Sequence, residues 1–348
     1  MRADFIRRRL LAWFAREKRR LPWRGTRDPY RIWVSEVMLQ QTTVEAVRRR
    51  YGAFLERFPD VRSLARARED SVLAAWSGLG YYARAKNLRR AARELVRRHG
   101  GVLPADPGEL RRLPGFGPYT AAAVASIAFD SPLPAADANV TRVLSRIGAI
   151  SGTAGSRDHE RAVLAMLRGL LPRRRPADLT VALMDLGQSI CTARAPACPK
   201  CPVADLCLAR RRARPEDFPA RRPRPAMSRV CLAAALVEDR GRALLVRRRS
   251  TLLDGMWEFP TGPGSPDARR ARAGLTRALA RLGLSRERGA ALSVVRHTVV
   301  RRHLEIEVFR GLGSPEAVPG ARWFTPRQLS QAAIPTLTRK IAASSGFL

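Results

Sequence analysis

Apolar positions over the first two hundred or so residues recur at helical spacing, and beyond about residue 229 they give way to short runs and strict alternation. The chain therefore reads as a helical part followed by a mixed one. In the first part, LLAWFA followed by Arg16 and Lys18 fits an amphipathic helix and is too short for a signal peptide or a membrane span. The stretch from Ser71 to His99 reads as one helix, stopped by Gly100-Gly101 as a C-terminal cap. In LPGFGPYTAAAVASIAF, Gly115 and Gly117 lie between two helical patterns, with Pro114 and Pro118 fixing the turn and an alanine-rich helix starting near Tyr119. Asp137 precedes ANVTRVLSRIG, where a helix N-cap belongs, and backbone N–H donors there would keep it ionised.

From Arg210 to Arg229 the chain carries Pro215, Pro219, Pro223 and Pro225 among arginines, with no apolar period. Residues 210–228 are accordingly expected as an exposed, basic, proline-rich linker. After it, VCLAAALVEDRGRALLVRRRS sets two apolar runs around Glu-Asp-Arg-Gly, the pattern of a β-hairpin, and LEIEVFRG alternates as a strand does. Residues 268–282 look helical. The expected architecture is multidomain, with an all-α domain over 1–209 and a smaller α/β domain over 229–345.

Composition adds a partner. The net charge is +35, and a field of that size draws a polyanion, for which nucleic acid is the natural choice. Only Lys18, Lys86, Lys200 and Lys340 are lysine, so part of the arginine excess can equally reflect base composition of the gene.

The cysteines add a cofactor. Cys191, Cys198, Cys201 and Cys207 follow a C-x6-C-x2-C-x5-C spacing that puts four thiolates on one compact loop. Such a set holds either a tetrahedral zinc or a [4Fe–4S] cluster; only Cys198 and Cys201 form a zinc-type knuckle, which favours the cluster. Cys231 stands alone in an apolar run and is expected in a core.

A carboxyl group with an unusual setting completes the pattern. Glu36 sits in RIWVSEVMLQQ among Ile32, Trp33, Val37, Met38 and Leu39, so desolvation should favour its protonated form unless it faces solvent on an amphipathic helix. The glycine-proline turn bares N–H groups at a helix start, a geometry suited to a phosphate and indifferent to base sequence.

These motifs resemble the helix-hairpin-helix DNA glycosylases that carry a Gly-Pro-rich loop, a following aspartate and an iron–sulfur loop. Within that superfamily, LPWRGTRDPYRIWVSEVMLQQT, GLGYYARAKNL and ALMDLGQSIC are similar to the MutY type of adenine DNA glycosylase, nearly continuously over residues 5–210 and more loosely beyond the linker. The resemblance implies base-excision repair: hydrolysis of the N-glycosidic bond of adenine mispaired with 8-oxoguanine or guanine in double-stranded DNA. It further implies a [4Fe–4S] loop at 191–207 and a cytoplasmic, nucleoid-associated monomer.

By the same resemblance Glu36 is the general acid that protonates adenine, and Asp137 stabilises the sugar cation. Asn139 orients that centre, and Tyr119 contacts the departing sugar. Gly115 and Gly117 hold a DNA phosphate. Gln41 and Tyr81 fill the gap left by the extruded base, and Trp23, Arg24 and Asp185 line its pocket. Bifunctional relatives of the endonuclease III type carry a lysine where this chain has Tyr119, and a phenol cannot form a Schiff base. An endonuclease III-like glycosylase/lyase for oxidised pyrimidines is thereby disfavoured. A non-catalytic damage sensor would not need both Glu36 and Asp137.

The second domain resembles a Nudix fold in which the acidic, magnesium-binding helix is replaced by ARAGLTRALARLGL, without a carboxylate. Recognition of the opposite base is the expected role; WEFP at 257–260 fits the family's version of this domain, with Trp257 and Phe259 as core residues the alternative. MutY-type proteins usually place a Phe-Ser-His turn here; aligning VVRHTVVRRHLEIE on Arg296-His297-Thr298 and Leu304 puts Val299, Val300 and Arg301 in its place, with His303 as a substitute if the loop is shifted by two residues.

Overall fold

The computed structural model of the 348-residue chain describes residues 2–220, 226–248, 254–299, 301–313 and 320–348. It divides into two compact units, Met1–Arg66 with Asn87–Pro223, and Ala67–Lys86 with Arg224–Leu348.

The first unit is helical. Its elements are α1 (Arg2–Glu17), α2 (Pro29–Leu39), α3 (Val44–Arg57), α4 (Val61–Arg66), and, after α5 (Glu69–Ala75) of the other unit, α6 (Ala83–His99), most of which lies in this unit. They continue through α7 (Pro107–Arg112), α8 (Pro118–Phe129), α9 (Ala138–Gly148), α10 (Arg157–Leu170), α11 (Pro176–Ser189) and α12 (Leu208–Arg211). One face of α9 repeats Val140, Val143, Leu144 and Ile147, which meet Ile6, Leu10 and Trp13 of α1 and Leu179, Leu183 and Leu186 of α11 in one core. Each such side chain contributes about 1.5–3 kcal/mol when buried. Alanine-rich α8 is buried through Thr120, Ala121, Ala123, Val124, Ala125 and Ser126 and packs against α2, so small residues bring two backbones close together.

The second unit contains a seven-stranded mixed sheet among the described residues, in which β3-β2-β1-β6-β4 lie in that order, β7 also pairs with β2, and β5 with β6. Its strands are β1 (Ser228–Asp239), β2 (Arg242–Arg247), β3 (Trp257–Glu258), β4 (Ser285–Arg286), β5 (Ser293–Val299), β6 (Arg302–Leu312) and β7 (Ala321–Phe324). The expected hairpin is present: β1 and β2 pair antiparallel through Asp239 and Arg242 around Arg240 and Gly241, at φ 49° and 69°. Two consecutive left-handed residues match the twist of the strands they join. The long apolar run of β1 is explained by burial on both faces. Ala234 and Leu236 join a core with Phe259, Ile306, Leu329 and Ile341, whereas Ala233, Ala235 and Val237 meet Leu275 and Leu279 of helix α13 (Ala268–Ala280). Helices α14 (Pro326–Gln331) and α15 (Thr336–Ser344) follow β7. Cys231 is buried in β1, as expected.

Two expectations are corrected. The single helix over Ser71 to His99 is broken: α5 ends at Ala75 and α6 begins at Ala83. Gly78, Gly80 and Tyr81 lie at φ 93°, 69° and 47°, and a right-handed helix cannot run through three left-handed residues. The segment containing this break joins the second unit through Arg247–Asp70 at 2.6 Å, Lys86–Asp254 at 2.7 Å and Arg339–Ser77 at 3.3 Å. The linker expected from residue 210 also starts too early. Up to Ala220 the chain is tied back to the helical unit, because Phe218 O accepts from Arg146, Glu216 from Ala195 N, and Ala220 exchanges backbone bonds with Gly152 and Ala154. Residues 221–225 lie outside the described residues.

Candidate active site and cysteine-lined cavity

Glu36 lies on α2, which starts cleanly because Asp28 caps the N–H groups of Tyr30 and Arg31 and Pro29 needs no partner. The helix is buried along most of its length, and Glu36 itself is only 7% exposed. Gln40 ties its end to α8 through Nε2 to Thr120 Oγ1 at 2.9 Å. From the second position of α8, the Tyr119 hydroxyl donates to Glu36 Oε2 at 2.9 Å. Burial raises the Glu36 carboxyl above its ordinary value and outweighs the opposing pull of the Tyr119 hydrogen bond and the Arg24 charge; the nearby Asp137 pushes the same way as burial. Tyr119 is held far above its usual range by burial and by those two carboxylates, so it acts here as a neutral donor.

Asp137 caps α9. One oxygen accepts from Val140 N at 2.7 Å and the other from Asn139 Nδ2 at 2.8 Å. Asn139 is itself fixed, since Arg142 donates to its Oδ1 at 3.0 Å while also bonding Gly187 O at 2.7 Å and Cys191 O at 2.9 Å. Asp185 on α11 is 1% exposed and pairs with Arg24 at 3.0 Å; burial raises its carboxyl, with Arg24 opposing. The two carboxylates expected to divide the work thus occupy different settings, one apolar and one capped.

The structure gathers Glu36, Tyr119, Asp137, Asn139, Arg24 and Asp185 into one electrostatically connected centre. Trp23 is buried edge-on against Tyr51 at 5.5 Å, the setting of a core residue. Gln41 follows the end of α2, exposed and at φ 53°. Tyr81, on the other unit, is 51% exposed. At the hairpin, Gly115 has φ 81°, and a Cβ there would stand 2.8 Å from Asn87 Cβ. Gly117 has an ordinary φ of −76°, caps α8, and has nothing within 4 Å of its absent Cβ.

The four cysteines line one cavity, with Val143, Ile147, Leu186, Ile190 and Val203 among its walls. Burial pushes the Cys201 thiol up to about 12, and the other three thiols add to it. Thiols crowded in an apolar hole are poised for a cation that stabilises them as thiolates. Among the described residues no three His, Cys, Asp or Glu side chains come together around a single metal ion. The buried Arg146 lines this cavity, reaching Cys191 Sγ at 3.4 Å and the carbonyl of Thr192 at 2.7 Å. Arg142 and Arg146 were not legible as site residues; their only signal is two charges spaced four apart in the otherwise apolar-faced helix α9.

In the second unit, α13 carries no carboxylate, as expected from sequence. The altered turn joins β5 to β6, with Val299 paired to Arg302; Val300 lies outside the described residues. His303 is two positions from that turn, paired with Thr298 and bonded to its hydroxyl at 3.1 Å.

The helical part matches the model of the HhH-GPD superfamily base excision DNA repair protein over residues 34–168, and the second part that of the NUDIX domain over residues 232–344. An adenine DNA glycosylase of Homo sapiens is 33% identical over 395 residues, covering 95% of this chain and 72% of the relative. One from Mycobacterium tuberculosis (strain CDC 1551 / Oshkosh) is 43% identical over 222 residues, covering 61% of this chain and 70% of the relative. Among solved structures, a thermostable thymine-DNA glycosylase is 28% identical with a TM-score of 0.55, covering 61% of this chain and 97% of that one. With its helix-hairpin-helix unit, its paired carboxylates and its second, Nudix-type unit, the chain belongs to the MutY-type adenine DNA glycosylases.

Proposed function

We propose that this protein excises adenine from DNA opposite 8-oxoguanine or guanine, with Glu36 as general acid and Asp137 as the group that meets the sugar cation. The observation that carries this reading is the buried Glu36, hydrogen-bonded by Tyr119 and within electrostatic reach of Asp137. Burial favours the protonated carboxyl, which delivers its proton to a ring nitrogen of adenine and turns the base into a better leaving group. As the glycosidic bond breaks, positive charge develops on the sugar. The Asp137 carboxylate, aimed by Val140 N and Asn139, stabilises that charge or adds to it, and water then releases the abasic product. Base extrusion precedes this chemistry, with Gln41 and Tyr81 replacing the lost stack.

Tyr119 offers no amine for a Schiff base, which supports hydrolysis without strand cleavage. Cys191, Cys198, Cys201 and Cys207, which line one cavity, would hold a [4Fe–4S] cluster; their spacing, with only Cys198 and Cys201 as a zinc-type knuckle, supports it over one zinc ion. Its contribution is a fold staple that presents exposed Arg194 and Lys200 to phosphates. The test is strand cleavage with and without hot alkali on duplexes containing adenine opposite 8-oxoguanine, guanine and thymine. Alkali-dependent breaks at adenine opposite the first two are expected; breaks without alkali, or none at all, would overturn the reading.

A further inference from the structure

We propose that Arg84 is a positioning residue that holds the Gly78–Tyr82 turn in shape, so that the Tyr81 ring stands clear of the protein and can enter the base stack. The inference rests on the functional reading above for the use of Tyr81, and on the following geometry for the role of Arg84.

Tyr81 holds φ 47°, a conformation that costs a residue bearing a Cβ about 1–2 kcal/mol. A turn this strained relaxes unless its carbonyls are tied down. Arg84 does so: one terminal nitrogen donates to Leu79 O at 2.9 Å and to Gly80 O at 3.1 Å. Fully buried Trp76 adds its Nε1 to the same Gly80 carbonyl at 3.1 Å. The guanidinium also lies 5.4 Å from the Trp76 ring centre and 5.7 Å from that of Tyr81. A planar cation in this place fixes the direction of the exposed ring while leaving 51% of Tyr81 open. Lysine reproduces the arrangement only in part: its ammonium can donate to both carbonyls, but it has no planar face to lie against the Trp76 and Tyr81 rings at the same time.

The test is a double-mutant cycle on single-turnover excision of adenine opposite 8-oxoguanine, using native protein, Arg84→Lys, Tyr81→Ala and the double variant, each first checked for a native unfolding transition. A second series with Arg84→Gln, which keeps donors without charge, covers the case in which one variant folds poorly. Arg84→Lys is expected to slow excision about tenfold when Tyr81 is present and not at all when it is alanine. Ground-state duplex affinity should change much less than the rate. Additive losses, or a native rate in Arg84→Lys, would overturn the proposal. A native rate in Tyr81→Ala would also overturn it, since no ring would then need positioning. Absence of excision by the native protein would instead defeat the functional reading.

Discussion

Gly115 and Gly117 stand two residues apart in one turn, yet alanine at each should do opposite things. At Gly115 the backbone is left-handed, at φ 81°, and an L residue there costs about 1–2 kcal/mol. The new Cβ would also lie 2.8 Å from Asn87 Cβ, well inside the ordinary separation of about 3.5–4.0 Å. Relieving that overlap means moving the root of a side chain on α6, at an overpacking cost of about 1–3 kcal/mol. Together, Gly115→Ala should lose about 2–5 kcal/mol from a total of about 5–15 kcal/mol. At Gly117 neither penalty exists, since φ is −76° and the space is open. Alanine is a poorer N-cap than glycine by about 0.5–1 kcal/mol, but it also lowers the entropy of the unfolded chain by a similar amount. Gly117→Ala should therefore fold as well as the native protein. If the hairpin holds a DNA phosphate, as its resemblance implies, the methyl group would occupy the open space at the start of α8 where that phosphate would sit. Hydrogen bonds to a charged group are worth about 1.5–3 kcal/mol, or about 10- to 150-fold in Kd. Urea unfolding and fluorescence anisotropy with a labelled duplex at fixed salt separate the two effects. The reasoning is refuted if Gly117→Ala is stable and binds DNA as tightly as the native protein, or if Gly115→Ala unfolds at the native urea midpoint.

Burial raises Glu36, so the acid form persists to higher pH than for an exposed carboxyl, and excision should fall as pH climbs through that raised value. Glu36→Gln should be nearly inactive with no such limb, and more stable than native at neutral pH. The sign follows from linkage: the native fold disfavours ionisation of Glu36, so the advantage of glutamine should vanish below the ordinary value of 4.5. A pH-independent stability difference would count against this account. Cys198→Ser should lower bound iron and soluble yield more than the rate per folded, iron-loaded molecule, and full iron content by elemental analysis would refute the ligand assignment. With Arg301 described at the β5–β6 turn and no serine or histidine there, preference for 8-oxoguanine over guanine opposite adenine should be weaker than in relatives with Phe-Ser-His, by about tenfold or more for one lost contact. If Val300→Ser/Arg301→His gains no discrimination in paired single-turnover assays, this reading of the turn fails.

Much of the fold is legible from the chain alone because it depends on neighbours in sequence. The period of Val140, Val143, Leu144 and Ile147 specifies a helix with one apolar face. Asp137 before that helix specifies a cap, and Arg240-Gly241 between apolar runs specifies a tight hairpin. The apolar flank of Glu36 likewise foretold its burial, since seven other residues of α2 are buried with it. Periodicity overreached at 76–82, where apolar residues keep a helical rhythm while Gly78, Gly80 and Tyr81 turn the backbone left-handed. It also missed the docking of Phe218 and Ala220, which is made by backbone groups that no side-chain pattern records.

The assembly of the centre is of another kind. Arg24 meets Asp185 across 161 positions, and Tyr119 meets Glu36 across 83. Such pairings depend on where packed helices carry their side chains, and nothing within a few residues of either partner encodes them. The same holds for Arg142 and Arg146, which in sequence are two arginines among many; in the folded chain Arg142 bridges Asn139 and the cysteine loop, and Arg146 holds that loop at Cys191. Local sterics and burial write the elements into the sequence; which charged side chain meets which is written by the packing that brings those elements together.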